Sequence, residues 1–245
     1  MLAILMRDAQ VPILLTRPQD ASERFEARLR AEGITAPVVF SPVLRIEPSV
    51  VSLPARMAGA IFTSKNGVAS VEGRGLPAWC VGEATAAAAN AKGWQARAAG
   101  GDAESLLRRI LADAPRGPLV HFRGAHARGD VAARLQEAGI ETMDMVVYRQ
   151  EAEPLNAEAK ELLGREKPLI LPLFSPRSAA QVAKAGPFHA PLFIVAMSEA
   201  VAEEARSLSP RRMIVTPEPH ADFMVAGIKQ FADAACRIET DGDSA

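Results

Sequence analysis

The sequence predicts an α/β protein with parallel sheets, helices on both sheet faces, and two domains made by duplication. Three observations lead there. Short apolar runs alternate with helix-like runs along the chain. Several of the helix-like runs stop at a glycine. One stretch of about 110 residues occurs twice, far longer than a solenoid repeat.

In chain order, VPILLT (11–16) reads as a strand and residues 20–32 as a helix stopped by Gly33. AGAIFT (58–63) is the next strand, followed by a helix from about residue 65. AWCVG (78–82) precedes the alanine-rich helix EATAAAANAK, stopped by Gly93. PLVHFR (118–123) precedes a helix over 127–138 that ends at Gly139. PLILPLF (168–174) and PLFIVA (191–196) are strands, the second followed by the helix SEAVAEEAR. Such strands are apolar because right-handed crossovers cover both faces of a parallel sheet. The opening MLAILMRDAQ has an apolar run of only about six residues and no basic region before it. It reads as a ragged extension, not a signal peptide or membrane span. The closing CRIETDGDSA reads as a frayed polar tail.

The duplication appears as matched segments at drifting offsets. Arg17 matches Arg123, and ARLRAEGI (27–34) matches ARLQEAGI (133–140). VLRIE (43–47) matches VYRQE (147–151), and FTSKNGVA (62–69) matches FSPRSAAQ (174–181). VGEAT (81–85) falls on VAMSE (195–199), and DAESLLRRI (102–110) on HADFMVAGI (220–228). The drift marks small loop insertions.

Composition narrows the function. A length of 245 residues suits two domains, and 49% hydrophobic residues supply their cores. With 28 basic and 29 acidic residues, the net charge of −1 argues against general nucleic-acid binding. Cys80 and Cys236 have no CxxC spacing, which points to a reducing, cytoplasmic compartment. His121, His126, His189 and His220 show no metal-ligand spacing. GxGxxG, GxxxxGK[ST] and GxSxG are all absent. Aromatic residues make up 5% of the chain, too few for base-stacking platforms.

Ligands of open parallel sheets bind beyond the carboxyl ends of the strands. Arg17, Lys65, Arg123 and Arg177 all follow an apolar strand, at that edge. Thr63 and Ser175 occupy the expected N-cap positions, with Pro176 first in its helix. Helix N-termini favour anions, so two copies suggest a large ligand with several negative groups, held between two domains. The plainer alternative is that a duplication preserves structural caps as readily as binding groups. Tyr148 is the only tyrosine, and Leu44 takes its place in the first copy. Both lie in proline-ended segments, PVLRIEP and VVYRQEAEP, that read as paired connectors. A phenol there either meets the ligand as a proton or hydrogen-bond donor, or is a packed ring with its hydroxyl satisfied.

Taken together, LLTRP (14–18), AEGI (31–34), AIFTSKNG (60–67), VGEATA (81–86), GGDAESLL (100–107), VHFRG (120–124), VVYR (146–149) and FSPRSA (174–179) resemble the uroporphyrinogen-III synthase family. The resemblance covers about residues 11–230. It implies two doubly wound, flavodoxin-like lobes joined by a two-stranded connector, with a cleft between them. The lobes would be residues 1–42 plus 150–245, and residues 44–147, with connectors near 42–48 and 146–153. It implies a monomeric, cofactor-free, metal-free enzyme acting on hydroxymethylbilane, a linear tetrapyrrole rich in carboxylates. Tyr148 is then the catalytic donor at the leaving hydroxyl. Thr16, Arg17, Thr63, Ser64, Lys65, Asn66, Thr85, Arg123, Gly124, Ser175, Arg177, Ser178 and Ser198 are then the substrate-binding set. Two departures stand out. VAMSEA carries Ala196 and Glu199 in place of the family's glycine and threonine, so Ser198 is expected to act while Glu199 turns away. Lys65 stands where a small residue is common, adding a candidate carboxylate contact. The competing reading is a non-enzymatic two-lobed binding or regulatory protein for a small polyanion.

Overall fold

The computed structural model describes residues 10–126 and 130–241, with side chains as far as residue 232. The chain begins with β1 (Ile13–Leu15), α1 (Gln19–Ala31), β2 (Val38–Phe40) and β3 (Leu44–Pro48). It continues through β4 (Gly59–Phe62), α2 (Lys65–Ala69), β5 (Pro77–Cys80), α3 (Glu83–Ala91) and β6 (Gln95–Ala98). Next come α4 (Ala103–Asp113), β7 (Leu119–Gly124), α5 (Val131–Glu137) and β8 (Thr142–Ala152). The last part is α6 (Ala157–Gly164), β9 (Leu169–Leu173), α7 (Pro176–Lys184), β10 (Leu192–Ala196), α8 (Glu199–Ala205), β11 (Arg212–Val215) and α9 (Ala221–Asp241).

Two compact units result. One runs to Arg45 and resumes at Ala152; the other is Ile46–Glu151. The divisions therefore fall inside β3 and β8. The first unit holds a parallel sheet in the order β11-β10-β9-β1-β2. The second holds β3-β8-β7-β4-β5-β6. Its strands from β8 to β6 are parallel. The edge strand β3 runs antiparallel to β8, since the Ser49 N–H donates to the Val147 carbonyl and the Glu153 N–H to the Val43 carbonyl. By the sequence repeat, β7, β8, β4, β5 and β6 correspond to β1, β2, β9, β10 and β11. The two sheets then share one spatial order. Each reverses its winding once, between β1 and β9 in one unit and between β7 and β4 in the other.

Strand pleat divides each core in two. In the first unit Leu14, Leu171 and Ile194 face α6, α7 and α8, while Ile13, Leu15, Ile170 and Phe193 face α1 and α9. In the second, Ala60, Phe62, Val120 and Phe122 pack with Val68 and Trp94, and Ile61 and Leu119 pack with Leu106, Ile110 and Leu135. Leu44 is buried in the first unit and its repeat partner Tyr148 in the second. The matched helix stops Gly33 (φ +80°) and Gly139 (φ +83°) take the left-handed conformation that glycine alone adopts cheaply.

Two expectations shift. Helix α9 runs on to Asp241, so CRIETD is helical rather than frayed. No glycine or proline interrupts that stretch. Helix α5 begins at Val131; the residues 127–129 expected in it, like the opening 1–9, lie outside the described residues.

Helix α2 has five residues, too few to persist alone. Packing fixes it: a Cβ added at Gly67 would lie 2.7 Å from the Phe122 carbonyl oxygen of β7. Gly67→Ala is therefore expected to cost about 1–3 kcal/mol by overpacking. Denaturant unfolding checks this, and an unchanged midpoint would mean that α2 sits clear of β7.

Candidate active site

The reversal points are where consecutive helices take opposite faces and leave strand ends uncovered. In the second unit these are the carboxyl ends of β4 and β7. Beyond Phe62 the backbone of Ser64 is extended, and Thr63 and Ser64 make their contacts on opposite faces.

On the Ile61 face, Thr63 Oγ1 lies 3.2 Å from His121 Nε2. His121 Nδ1 lies 2.8 Å from Asp144 Oδ1, on the register neighbour in β8. Arg123 Nε stands 3.0 Å from Asp144 Oδ2, an ion pair whose N–H is not aligned into a hydrogen bond. The His121 side chain is 1% exposed. Burial depresses its pKa; the Asp144 carboxylate pulls the other way, and Arg123 adds to the lowering.

On the Phe62 face sits Tyr148. A β-bulge lets Arg123 pair with Val146 and Gly124 with Tyr148, skipping Val147. The Tyr148 hydroxyl is 3.1 Å from Ser64 Oγ, which also accepts the Gly67 N–H at 3.2 Å. A Cβ at Gly124 would lie 2.6 Å from the Tyr148 ring, so only glycine leaves room for the phenol.

The first unit presents a different edge. The Arg17 guanidinium stacks over the Phe174 ring at 4.0 Å, and Phe174 meets Phe25 edge-on at 4.8 Å. Burial lowers the Arg17 pKa, with a smaller contribution from Arg24. Ser175 caps α7, accepting the Ser178 N–H at 3.1 Å and donating to Ser178 Oγ at 2.9 Å, with Pro176 first in the helix. Ser198 precedes α8 and makes no side-chain cap bond. Glu199 pairs with Arg206, and Ala196 is buried at the end of β10.

Of the residues singled out in the sequence, the second unit gathers Thr63, Ser64, Arg123, Gly124 and Tyr148 around one strand edge, with Lys65 and Asn66 opening α2 beside them. Arg17, Ser175, Arg177 and Ser198 lie at or just past strand ends of the first unit. Thr16, Thr85 and Ser178 are buried. One placement is corrected: the cap of α2 is Ser64, not Thr63, because Ser64 Oγ is the atom that meets the Gly67 N–H. That frees Thr63 for His121. The sequence reading missed His121 and Asp144, although a histidine inside an apolar strand was a visible signal. Cys80 is buried, its thiol pushed up to about 12, which makes it a poor nucleophile. Among the described residues no group of three or more His, Cys, Asp or Glu is placed to hold a metal. No helix among them is long and apolar enough to cross a membrane.

Comparison with known proteins gives the following. The family model described as uroporphyrinogen-III synthase HemD matches residues 10–226. No curated protein matches the sequence. Among solved structures, the uroporphyrinogen-III synthetase of Helicobacter pylori 26695 is 14% identical with a TM-score of 0.67, covering 91% of this chain and 99% of that one. A mutant uroporphyrinogen III synthase from the extremely thermophilic bacterium Thermus thermophilus is 16% identical with a TM-score of 0.50, covering 93% and 99%.

A buried neutral histidine links stability to acid. The folded pKa of His121 lies below its ordinary 6.5, so this contribution is complete above that value and is lost as pH falls through the folded pKa. His121→Gln removes the titration. Melting temperatures measured downward from about pH 7 are expected to fall less steeply for the variant than for the parent. Parallel curves would contradict the assignment.

Proposed function

The chain belongs to the uroporphyrinogen-III synthase family, and from that premise we propose how its residues share the reaction. It is a cyclising lyase of tetrapyrrole biosynthesis. Hydroxymethylbilane loses its terminal hydroxyl as water and closes with the terminal ring inverted, giving uroporphyrinogen III. The observation that carries this reading is the family match over residues 10–226.

Loss of the hydroxyl leaves an electrophilic azafulvene. The far pyrrole attacks through its substituted α-carbon to give a spiro intermediate, which opens and recloses at the other α-carbon of that ring. The pyrrole nitrogens supply the electron push. The protein's tasks are to hold the reacting ends together and to protonate the leaving oxygen.

Tyr148 is the proton donor in this reading. Ser64 Oγ accepts the Gly67 N–H and lies 3.1 Å from the Tyr148 oxygen; in this reading it turns its own proton toward that oxygen. The phenol proton is then free for the departing hydroxyl. Arg17, Lys65, Asn66, Arg123, Arg177 and Ser198 receive substrate carboxylates, with Gly124 as the close-fitting backbone under Tyr148 and Ser175 shaping the neighbouring helix start. For Arg17 the support is physical: a half-buried guanidinium on an aromatic face gains from an anion that offsets its lost hydration. Thr16, Thr85 and Ser178 stand behind these groups and support the backbone. The protein acts as a cytoplasmic monomer without a nucleic-acid partner, consistent with its near-neutral charge.

Product analysis tests the function. Purified protein is given fresh hydroxymethylbilane without added metal or cofactor, and the oxidised products are separated by isomer. Isomer III is expected to predominate. Isomer I alone, the product of spontaneous closure, would overturn the reading in favour of a binding protein. Tyr148→Phe keeps the ring against Gly124 and is expected to lower kcat by about 10²-fold while leaving the unfolding midpoint nearly unchanged. Full activity in that variant would remove Tyr148 from the donor role.

A further inference from the structure

The duplicated fold offers an internal control for its buried polar groups. The repeat places Leu15 of β1 opposite His121 of β7, and Leu15 is fully buried with no polar side-chain atom. The fold therefore does not require a polar side chain at this place in the strand. Burying an imidazole there, 1% exposed, carries a desolvation cost that leucine avoids. Among the described residues, the hydrogen-bonded row Asp144–His121–Thr63 belongs to the second unit.

The direction of that row follows from proton counting. Asp144, ion-paired with Arg123, is a carboxylate that only accepts. His121 Nδ1 must then carry the hydrogen that spans the 2.8 Å to Asp144. In the neutral ring Nε2 is left with a lone pair, so it accepts, and the Thr63 hydroxyl donates across the 3.2 Å. A threonine hydroxyl has a single proton. Once that proton points at His121, only lone pairs remain toward the half-buried strand end, and lone pairs repel a carboxylate.

We infer that His121 and Asp144 are positioning residues that fix Thr63 as a hydrogen-bond acceptor, so that Thr63 receives an N–H of the ligand instead of gripping one of its carboxylates. This rests on the synthase reading, under which the ligand carries both groups: acidic side chains around its rim and pyrrole N–H groups along its backbone. The two hydroxyls after β4 thus divide the recognition. Ser64 serves the phenol on one face, and Thr63 reads a pyrrole nitrogen from the other. The division separates the end of the ligand that reacts from the pyrrole backbone that has to be held in place.

Two measurements test this. Nitrogen–proton correlation spectra of the ligand-free wild-type protein at about pH 7.5 report the His121 tautomer directly. The neutral Nδ1–H form is expected; an Nε2–H or doubly protonated ring would overturn the inference whatever reaction the protein performs. In steady-state kinetics with hydroxymethylbilane, Thr63→Val is expected to raise KM roughly five- to tenfold with kcat within about twofold, and Thr63→Ser to restore the wild-type KM. An unchanged KM for Thr63→Val, or failure of Thr63→Ser to rescue it, would overturn the ligand contact. Absence of isomer III from the wild type would instead fault the synthase reading and leave the tautomer result standing.

Discussion

A parallel sheet wound in both directions cannot cover the strand ends where its winding reverses, and the rest of this structure depends on that constraint. In the second unit, Val68 of α2 packs on one sheet face while Val131 and Leu135 of α5 pack on the other. In the first, Ala179 and Val182 of α7 and Phe25 and Leu29 of α1 divide in the same way. The ends of β4 and β7, and of β1 and β9, are left without a helix above them. The polar residues collect there because only there can they escape the apolar layers. Past the end of β4, Thr63 turns to one face and Ser64 to the other, and each meets a distinct hydrogen-bonded row.

Much of this architecture was legible in the sequence. Strands buried on both faces have to be apolar throughout, so PLILPLF and PLFIVA announced themselves. Gly33 and Gly139 marked helix ends because their backbone turn excludes side chains at little cost only in glycine. The tail was misread for the converse reason. CRIETD lacks a strong apolar stripe, yet nothing in it stops a helix already under way, and α9 runs through it.

The site was legible only in part. Tyr148 stood out as a lone tyrosine facing a leucine in its repeat, and the structure adds the bulge and the missing Cβ of Gly124 that seat it. Aligning FTSKNG with FSPRSA made Thr63 the counterpart of Ser175. Cap geometry gives that place to Ser64, one residue further on, and a slip of one residue turns a side chain to the other face. His121 and Asp144 are 23 residues apart and belong to different strands, so no local pattern joins them. Their contact is a product of register. Arg17 read as a strand-end cation; the aromatic surface beneath it came from Phe174, more than half the chain away.

The interleaving of the two units also sets an order on biosynthesis. Residues 46–151 are contiguous, so the second unit has its whole sheet available once Glu151 has left the ribosome. β1 and β2 emerge before the other described strands, yet Ile13 pairs with Ile170, on a strand made much later. The beginning of the chain therefore waits, with one edge of its two-strand fragment unpaired and its apolar residues uncovered, until the unit inserted behind it is complete. The nascent chain therefore matures from its middle outward, with the contiguous unit closing before the discontinuous one.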